Sequence, residues 1–487
     1  MMDLVEHNNT MPRGGFREEC AVFGIYGHVD AAAHTALGLH ALQHRGQEAA
    51  GITTCDGSQF HAHRELGLVG DIFASRSVIE RLPGYSAIGH TRYSTTGEQS
   101  LRNVQPLFAD FAFGGLAIAH NGNLTNALGL RHELVQQGCI FQSTSDTEVI
   151  IHLMATSQGQ VVDRMVSALR QVEGAYSVVA LSNDALIGVR DPLGVRPLVL
   201  GQMGNTHILA SETCALDIIG AKHIRDIEPG ELVVIDADGV KSFRPFPNIG
   251  RRSCIFEYVY FSRPDSVAGG RSVYEIRKRI GEELARESGV DADFVFPIPD
   301  SGTPSAIGYA AETGIPFELG IIRNHYVGRT FIEPTDEIRN LGVKLKHNAN
   351  RAFVEGKRVV LVDDSIVRGT TSKKIVEMMR STGATEVHLR IASPPTTNSC
   401  FYGVNTPERD QLLAAQLSVD EMCAMIGADS LAFVSIDGLY RATGHPSRDN
   451  TVPQYCDACF TGDYPIPLTD RTAGAQSTQL SLLTEAM

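Results

Sequence analysis

Tryptophan is missing altogether from this 487-residue chain, and the aromatic share is only 7%. Long apolar runs are missing too. No stretch approaches the ~20 consecutive apolar residues that cross a bilayer, and residues 1–19 carry charges where a secretory signal would hold its apolar core. Positive charge is in short supply, since 42 Lys and Arg face 56 Asp and Glu for a formal net charge of −14. That balance repels polyphosphate backbones and anionic lipid unless cations cluster locally. No nucleic-acid or membrane partner is expected, and the location expected is cytoplasmic. Disulfide staples are not needed either, because a chain of this length buries large cores without them. The nine cysteines are an odd number, and catalysis or metal ligation are their competing uses.

What is present falls into two grammars, as the length leads one to expect of two or three domains. Up to about Asn248 short apolar runs alternate with turns: Ala21 to Tyr26, Gly115 to Gly122, Ser177 to Leu181 and Leu198 to Leu209. Helical spacing interrupts them at Ala31 to Gln43 and Asp146 to Ala155. This predicts an α+β half of layered antiparallel sheets with helices. The Pro-punctuated stretch Phe243 to Gly250 then marks a boundary. Beyond it Val273, Ile276, Ile280 and Leu284 recur at helical spacing, and buried-type runs follow at Phe294 to Ile298, Phe317 to Ile322, Val359 to Val362, Val387 to Ala392 and Leu431 to Ile436. Ser418 and Glu421 form a capping box. This is α/β grammar with a parallel sheet, whose ligands lie beyond the strand carboxyl ends. The expected segments are a leader (1–19), a first domain (20–248), a second (249–467) and a loose tail (468–487).

The sharpest local signal is Arg358-Val-Val-Leu-Val-Asp-Asp-Ser-Ile-Val-Arg-Gly-Thr-Thr-Ser. A strand ending in two carboxylates, a Gly-containing turn and a helix start aim amides and hydroxyls at one point, an anion cradle. Asp363 and Asp364 would repel a phosphate, so they make sense as holders of ribose hydroxyls or of Mg²⁺. A solvated acidic strand end is the bland alternative. At the other end, Cys20 follows the leader directly. If the chain is cut before it, the thiol gains its own α-amine, of reference pKa near ~8, as an activating base. A cysteine packed at a strand start is the competing reading.

The segment from Arg358 to Ser372 resembles the phosphoribosylpyrophosphate (PRPP) motif of type I phosphoribosyltransferases. The resemblance implies that Asp363 and Asp364 hold ribose hydroxyls and metal, and that Asp364, Ser365, Ile366, Val367, Arg368, Gly369, Thr370 and Thr371 wrap the 5′-phosphate. Phe296-Pro-Ile-Pro-Asp-Ser-Gly-Thr-Pro-Ser-Ala is similar to that family's pyrophosphate loop, which implies roles for Asp300, Ser301 and Gly302, with Ser301 beside the Mg²⁺.

Cys20-Ala-Val-Phe-Gly, His44-Arg-Gly-Gln-Glu, Gly89-His-Thr-Arg-Tyr-Ser-Thr-Thr-Gly, Ala119-His-Asn-Gly-Asn-Leu and Ser143-Thr-Ser-Asp-Thr-Glu look like class II glutamine amidotransferases. The resemblance implies an Ntn-hydrolase-like first domain. Cys20 would attack glutamine, Arg92 would bind its α-carboxylate and Asp146 its α-amino group, while the Asn121 side chain and the Gly122 N–H would form the oxyanion hole.

Cys254, Cys400 and the pair Cys456-Asp-Ala-Cys459 come from three distant segments and could form an all-cysteine site. Spacing alone does not choose between zinc and an iron-sulfur cluster. Together the two halves resemble the glutamine PRPP amidotransferases, one branch of which has a cleaved propeptide and a 4Fe-4S cluster on matching cysteines. Cys55, Cys139, Cys214 and Cys423 have no motif and read as core residues.

The implied reaction opens purine synthesis, with glutamine and PRPP as substrates. Ammonia must reach the ribose carbon before bulk water protonates it, so a shielded passage is expected. The resemblance also implies purine nucleotide inhibitors, a homo-oligomer (dimer or tetramer) and a mobile lid at Arg323 to Pro334. Lys344, Lys346 and Arg351 are candidate phosphate contacts. A lone class II amidotransferase would lack the segment Val359 to Ser372, and a non-catalytic PRPP-binding regulator would have no need of Cys20.

Overall fold

The computed structural model describes residues 20–93, 100–324 and 347–472. Two compact units emerge: one gathers residues 280–397 and 407–439, the other residues 20–279 with 398–406 and 440–472.

In the larger unit, two antiparallel sheets form among the described residues. The first has seven strands in the order Lys222–Asp226, Val199–Met203, Thr206–Ala210, Ala21–Tyr26, Ser86–Arg92, Ala49–Cys55 and Phe60–Leu66. The second has six: Gly239–Phe243, Leu232–Asp236, Leu186–Arg190, Gly174–Ser182, Gly114–Leu124 and Leu107–Phe111. Val22, Ile88, Ala117, Val179, Leu209 and Val233 share one buried core that joins the two sheets. The helix Ala31–Ala41 covers the outer face of the first sheet, and helices Ala127–Gln136, Thr147–Thr156 and Val161–Leu169 cover that of the second. With both faces covered, Ala49–Cys55, Ser86–Arg92 and Gly174–Ser182 are buried at every position, which is why they read as unbroken runs and not as alternation. The expected α+β layering is what is found.

The smaller unit holds a four-stranded parallel sheet in the order Phe294–Pro297, Arg358–Asp363, Glu386–Ile391 and Ser430–Phe433. Its core draws on Phe296, Val359, Leu361, Leu389 and, from helix Thr370–Thr382, Ile375, Val376 and Met379. Ser418 and Glu421 cap helix Val419–Ile426 reciprocally, as their spacing predicts. Two expected strands are shorter than read. Of Phe317 to Ile322 only the end forms a strand, Ile321–Arg323 antiparallel to His347–Ala349, while Phe317 makes an isolated bridge to Val295. The run from Leu431 stops at Phe433, and Ile436 opens a helix instead. No helix among the described residues is long and apolar enough to cross a membrane.

Candidate functional site

The first candidate site gathers at strand ends of the larger unit. Ala21 pairs with Thr91, which sets Cys20 beside the end of the Ser86–Arg92 strand, and the Cys20 Sγ lies 3.4 Å from the Tyr93 carbonyl oxygen. Burial pushes the thiol up to about 11, with Asp146 and Glu48 also raising it and Tyr93 and Arg92 opposing. Burial likewise pulls the Arg92 guanidinium down, against the attraction of Cys20, Glu48 and Asp146. Cys20, Arg92 and Asp146 therefore share one electrostatic neighbourhood. Asp146 precedes helix Thr147–Thr156, and its Oδ2 accepts a 2.9 Å hydrogen bond from the Leu124 N–H.

Asn121 and Gly122 sit on strand Gly114–Leu124 of the second sheet, opposite Ser177 and Tyr176. The Asn121 side chain is fully buried, yet neither its oxygen nor its nitrogen finds a hydrogen-bond partner among the described residues. A buried amide with no partner costs roughly 1–3 kcal/mol, so both its donor and its acceptor stand available to a bound group. Gly122 has φ +147°, and a Cβ there would stand 1.9 Å from the Ala175 carbonyl oxygen, so only glycine fits.

Beneath Cys20 lies a charge network that motif reading missed. Arg45 is 1% exposed and donates from Nη1 to Glu212 (2.5 Å) and Glu257 (2.9 Å) and from Nη2 to Glu257 (2.7 Å); its Nε lies 3.4 Å from the Cys20 carbonyl oxygen. Burial alone would lower Arg45, but the two carboxylates drive it up, and His44 and Arg45 hold Glu212 far below the carboxylate range against its own burial. Arg45 was visible within the His44 motif. Glu212 and Glu257 had no local signal.

The second candidate site lies in the smaller unit, past the carboxyl end of strand Arg358–Asp363. Asp363 and Asp364 are each 8% exposed, and Asp363 Oδ1 accepts the Asp364 N–H at 3.0 Å. Burial and then the neighbouring Asp364 charge push Asp363 well above the carboxylate range, a strain that a divalent cation would relieve. The turn runs through Ser365, Ile366, Val367 and Arg368 to Gly369, whose φ of +72° opens helix Thr370–Thr382, with Thr370 and Thr371 exposed at its start. Alongside, Gly302 begins helix Thr303–Thr313, and a Cβ on it would lie 2.3 Å from the Val362 carbonyl oxygen, so this loop is seated against the strand that carries the acids. Ser301 is half-buried, and Asp300 is exposed and paired with Arg323. Past Asn324 the expected lid to Pro334, like Lys344 and Lys346, lies outside the described residues. Arg351 is exposed and pairs with Glu355 at 3.8 Å.

The four cysteines all belong to the larger unit. Cys254 and Cys456 are register partners in a short parallel pair, Cys459 sits in the following turn of helix Ala458–Thr461, and the Asn398 N–H reaches the Cys459 carbonyl at 3.0 Å, which brings in the Cys400 loop. The Cys400 Sγ accepts from the Tyr402 N–H at 3.4 Å. Burial first, and then the other thiols, push Cys254 and Cys456 up to about 12 and Cys459 well above its ordinary value. No group of three or more His, Cys, Asp or Glu among the described residues is arranged to hold a single ion. Of the motif-free cysteines, Cys55 and Cys214 are buried while Cys139 and Cys423 pack partly buried against cores.

A glutamine amidotransferase domain model matches residues 90–217 and a phosphoribosyl transferase domain model residues 270–392. The solved glutamine PRPP amidotransferase from B. subtilis complexed with ADP and GMP superposes with a TM-score of 0.88 at 48% identity, covering 95% of this chain and 99% of that one. A solved structure of the allosteric regulatory enzyme of purine biosynthesis does so equally, at TM-score 0.88 and 48% identity over 95% and 98%. The amidophosphoribosyltransferase of Rhizobium etli is 60% identical over 476 residues, 96% of this chain and 95% of that protein. With both domain models matched in order and the likeness running nearly end to end, the chain belongs to the amidophosphoribosyltransferase family.

Proposed function

We infer that the chain catalyses glutamine-dependent amination of PRPP in purine biosynthesis, with Cys20 and the turn from Asp363 to Thr371 as its two reactive ends. The products are 5-phosphoribosylamine, pyrophosphate and glutamate. One observation carries the site assignment: the buried Asn121 amide, unsatisfied among the described residues, lies in the strand next to the residues that crowd Cys20.

With Arg92 on the glutamine α-carboxylate and Asp146 on its α-amino group, the side-chain amide carbon is delivered to the Cys20 sulfur. At a thiol pushed up to about 11, little thiolate exists at neutral pH, so a base is required. Cleavage before Cys20 converts its backbone nitrogen from an amide, which cannot accept a proton, into an amine that can. Sulfur attack places negative charge on the former amide oxygen, where the Asn121 amide and the Gly122 N–H stabilise it. Ammonia leaves with the proton taken from the thiol, and water then attacks the thioester to release glutamate.

In the other half, Asp363 and Asp364 hold the ribose hydroxyls, the amides and hydroxyls from Ser365 to Thr371 hold the 5′-phosphate, and Asp300, Ser301 and Gly302 face the pyrophosphate. Mg²⁺ held by Asp363, Asp364 and Ser301 would supply charge neutralisation for the departing pyrophosphate. Cys254, Cys400, Cys456 and Cys459 are a soft donor set suited to a 4Fe-4S cluster. Neither half-reaction moves electrons, so its role is structural or oxygen-sensing. A purine nucleotide carries the same ribose 5′-phosphate as PRPP and can compete for the cradle; the B. subtilis relative's bound ADP and GMP support this. A cytoplasmic homo-oligomer completes the proposal.

The test is Cys20→Ser. Glutamine-dependent synthesis is lost while ammonia-dependent synthesis persists; equal loss of both contradicts the assignment.

A further inference from the structure

Helix Ala127–Gln136 follows directly on the strand that carries Asn121 and Gly122, and its own N-cap residue does not cap it. The Asn126 side chain is used elsewhere: its nitrogen donates to the Gln171 carbonyl and its oxygen accepts from the Glu173 N–H. The cap comes from the far end of the chain. Asp470 accepts the Leu128 N–H on Oδ2 at 2.8 Å and the Gly129 N–H on Oδ1 at 3.0 Å, and its own N–H donates to the Thr125 carbonyl at 2.9 Å. Next to it Thr469 Oγ1 donates to the Glu173 carboxylate, and the Glu173 carbonyl accepts the Thr125 N–H.

We propose that Asp470 is a positioning residue for glutamine: the segment from Leu468 to Thr472 clamps the exit of the oxyanion strand at Thr125 and Leu128, and so fixes the Leu124 N–H that orients Asp146. This rests on the reading of Asp146 as the holder of the glutamine α-amino group. Leu124 is one residue from the clamped Thr125, and its N–H is bonded to Asp146 Oδ2. Leu124, Thr125, Leu128, Asp146, Leu468 and Asp470 all border one cavity of about 190 Å³, so the clamp and the Asp146 carboxylate face the same space. Two N–H groups of the helix's first turn depend on this cap. Because the segment acts on the end of the strand nearest Asp146, substrate affinity is the quantity it controls.

Full-length mature enzyme is assayed for glutamine-dependent and ammonia-dependent pyrophosphate release. Asp470→Ala raises KM for glutamine about tenfold with kcat within about twofold, and leaves the ammonia-dependent rate unchanged. Asp470→Glu, which keeps two acceptor oxygens, recovers part of the loss. An unchanged KM, or parallel loss of both activities, overturns the proposal. Asp146→Asn, run alongside, separates the two failures. If it raises KM while Asp470→Ala does not, the clamp is wrong. If it leaves KM unchanged, the reading of Asp146 itself is wrong.

Discussion

At the residue scale, the side chains proposed for catalysis are marked by motif while the groups packed around them are not. Cys20, Arg92, Asn121 and Asp146 each stand in a short recognisable string, because chemistry constrains their immediate neighbours. Arg45 stands in such a string too, but its partners Glu212 and Glu257 lie 167 and 212 residues away, and nothing local announces them. A buried guanidinium between two buried carboxylates is held by mutual satisfaction, and removing it leaves Glu212 with His44 and Glu257 with Arg196 at 3.5 Å as their remaining cationic neighbours. Arg45→Met should therefore destabilise the folded chain by about 3–5 kcal/mol, read as a lowered denaturant midpoint at unchanged slope. A shift below about 1 kcal/mol would show that the network is solvated in solution.

At the element scale, periodicity located the strands and helices better than their ends. The run from Leu198 to Leu209 is two strands, Val199–Met203 and Thr206–Ala210, turned about Gly204 at φ +57°; the Gly-Asn step in the run was the available signal. The turn from Asp363 to Thr370 was legible because strand, turn and helix start are contiguous. How tightly the Gly302 loop seats against Val362 was not, because it depends on pairing across the sheet. Gly302 has an ordinary φ of −71°, so alanine there meets a steric obstacle and no conformational one. Overpacking against backbone costs about 1–3 kcal/mol. Gly302→Ala should lower glutamine-dependent and ammonia-dependent pyrophosphate release together, by about tenfold or more, while glutamate release at Cys20 stays near normal. Unequal effects on the two pyrophosphate rates would place Gly302 outside the PRPP loop's work.

At the scale of the whole molecule, a linear boundary near Asn248 describes the change of grammar, but the chain returns across it. Residues 398–406 and those from 440 group with the first half, so Cys400, Cys456 and Cys459 meet Cys254 there and not within the parallel-sheet unit. Segment order carries no trace of such a return, which is why the unit that these four cysteines share was hidden. Iron, sulfide and zinc analysis of anaerobically purified protein should give about four iron and about four sulfide per chain; about one zinc and no sulfide would assign the thiols to a single ion.

The central claim is that one polypeptide both frees ammonia and spends it. Glutamate and pyrophosphate measured together, from purified protein supplied with glutamine, PRPP and Mg²⁺, should appear in a one-to-one ratio. Glutamate without pyrophosphate, or neither product, would contradict it.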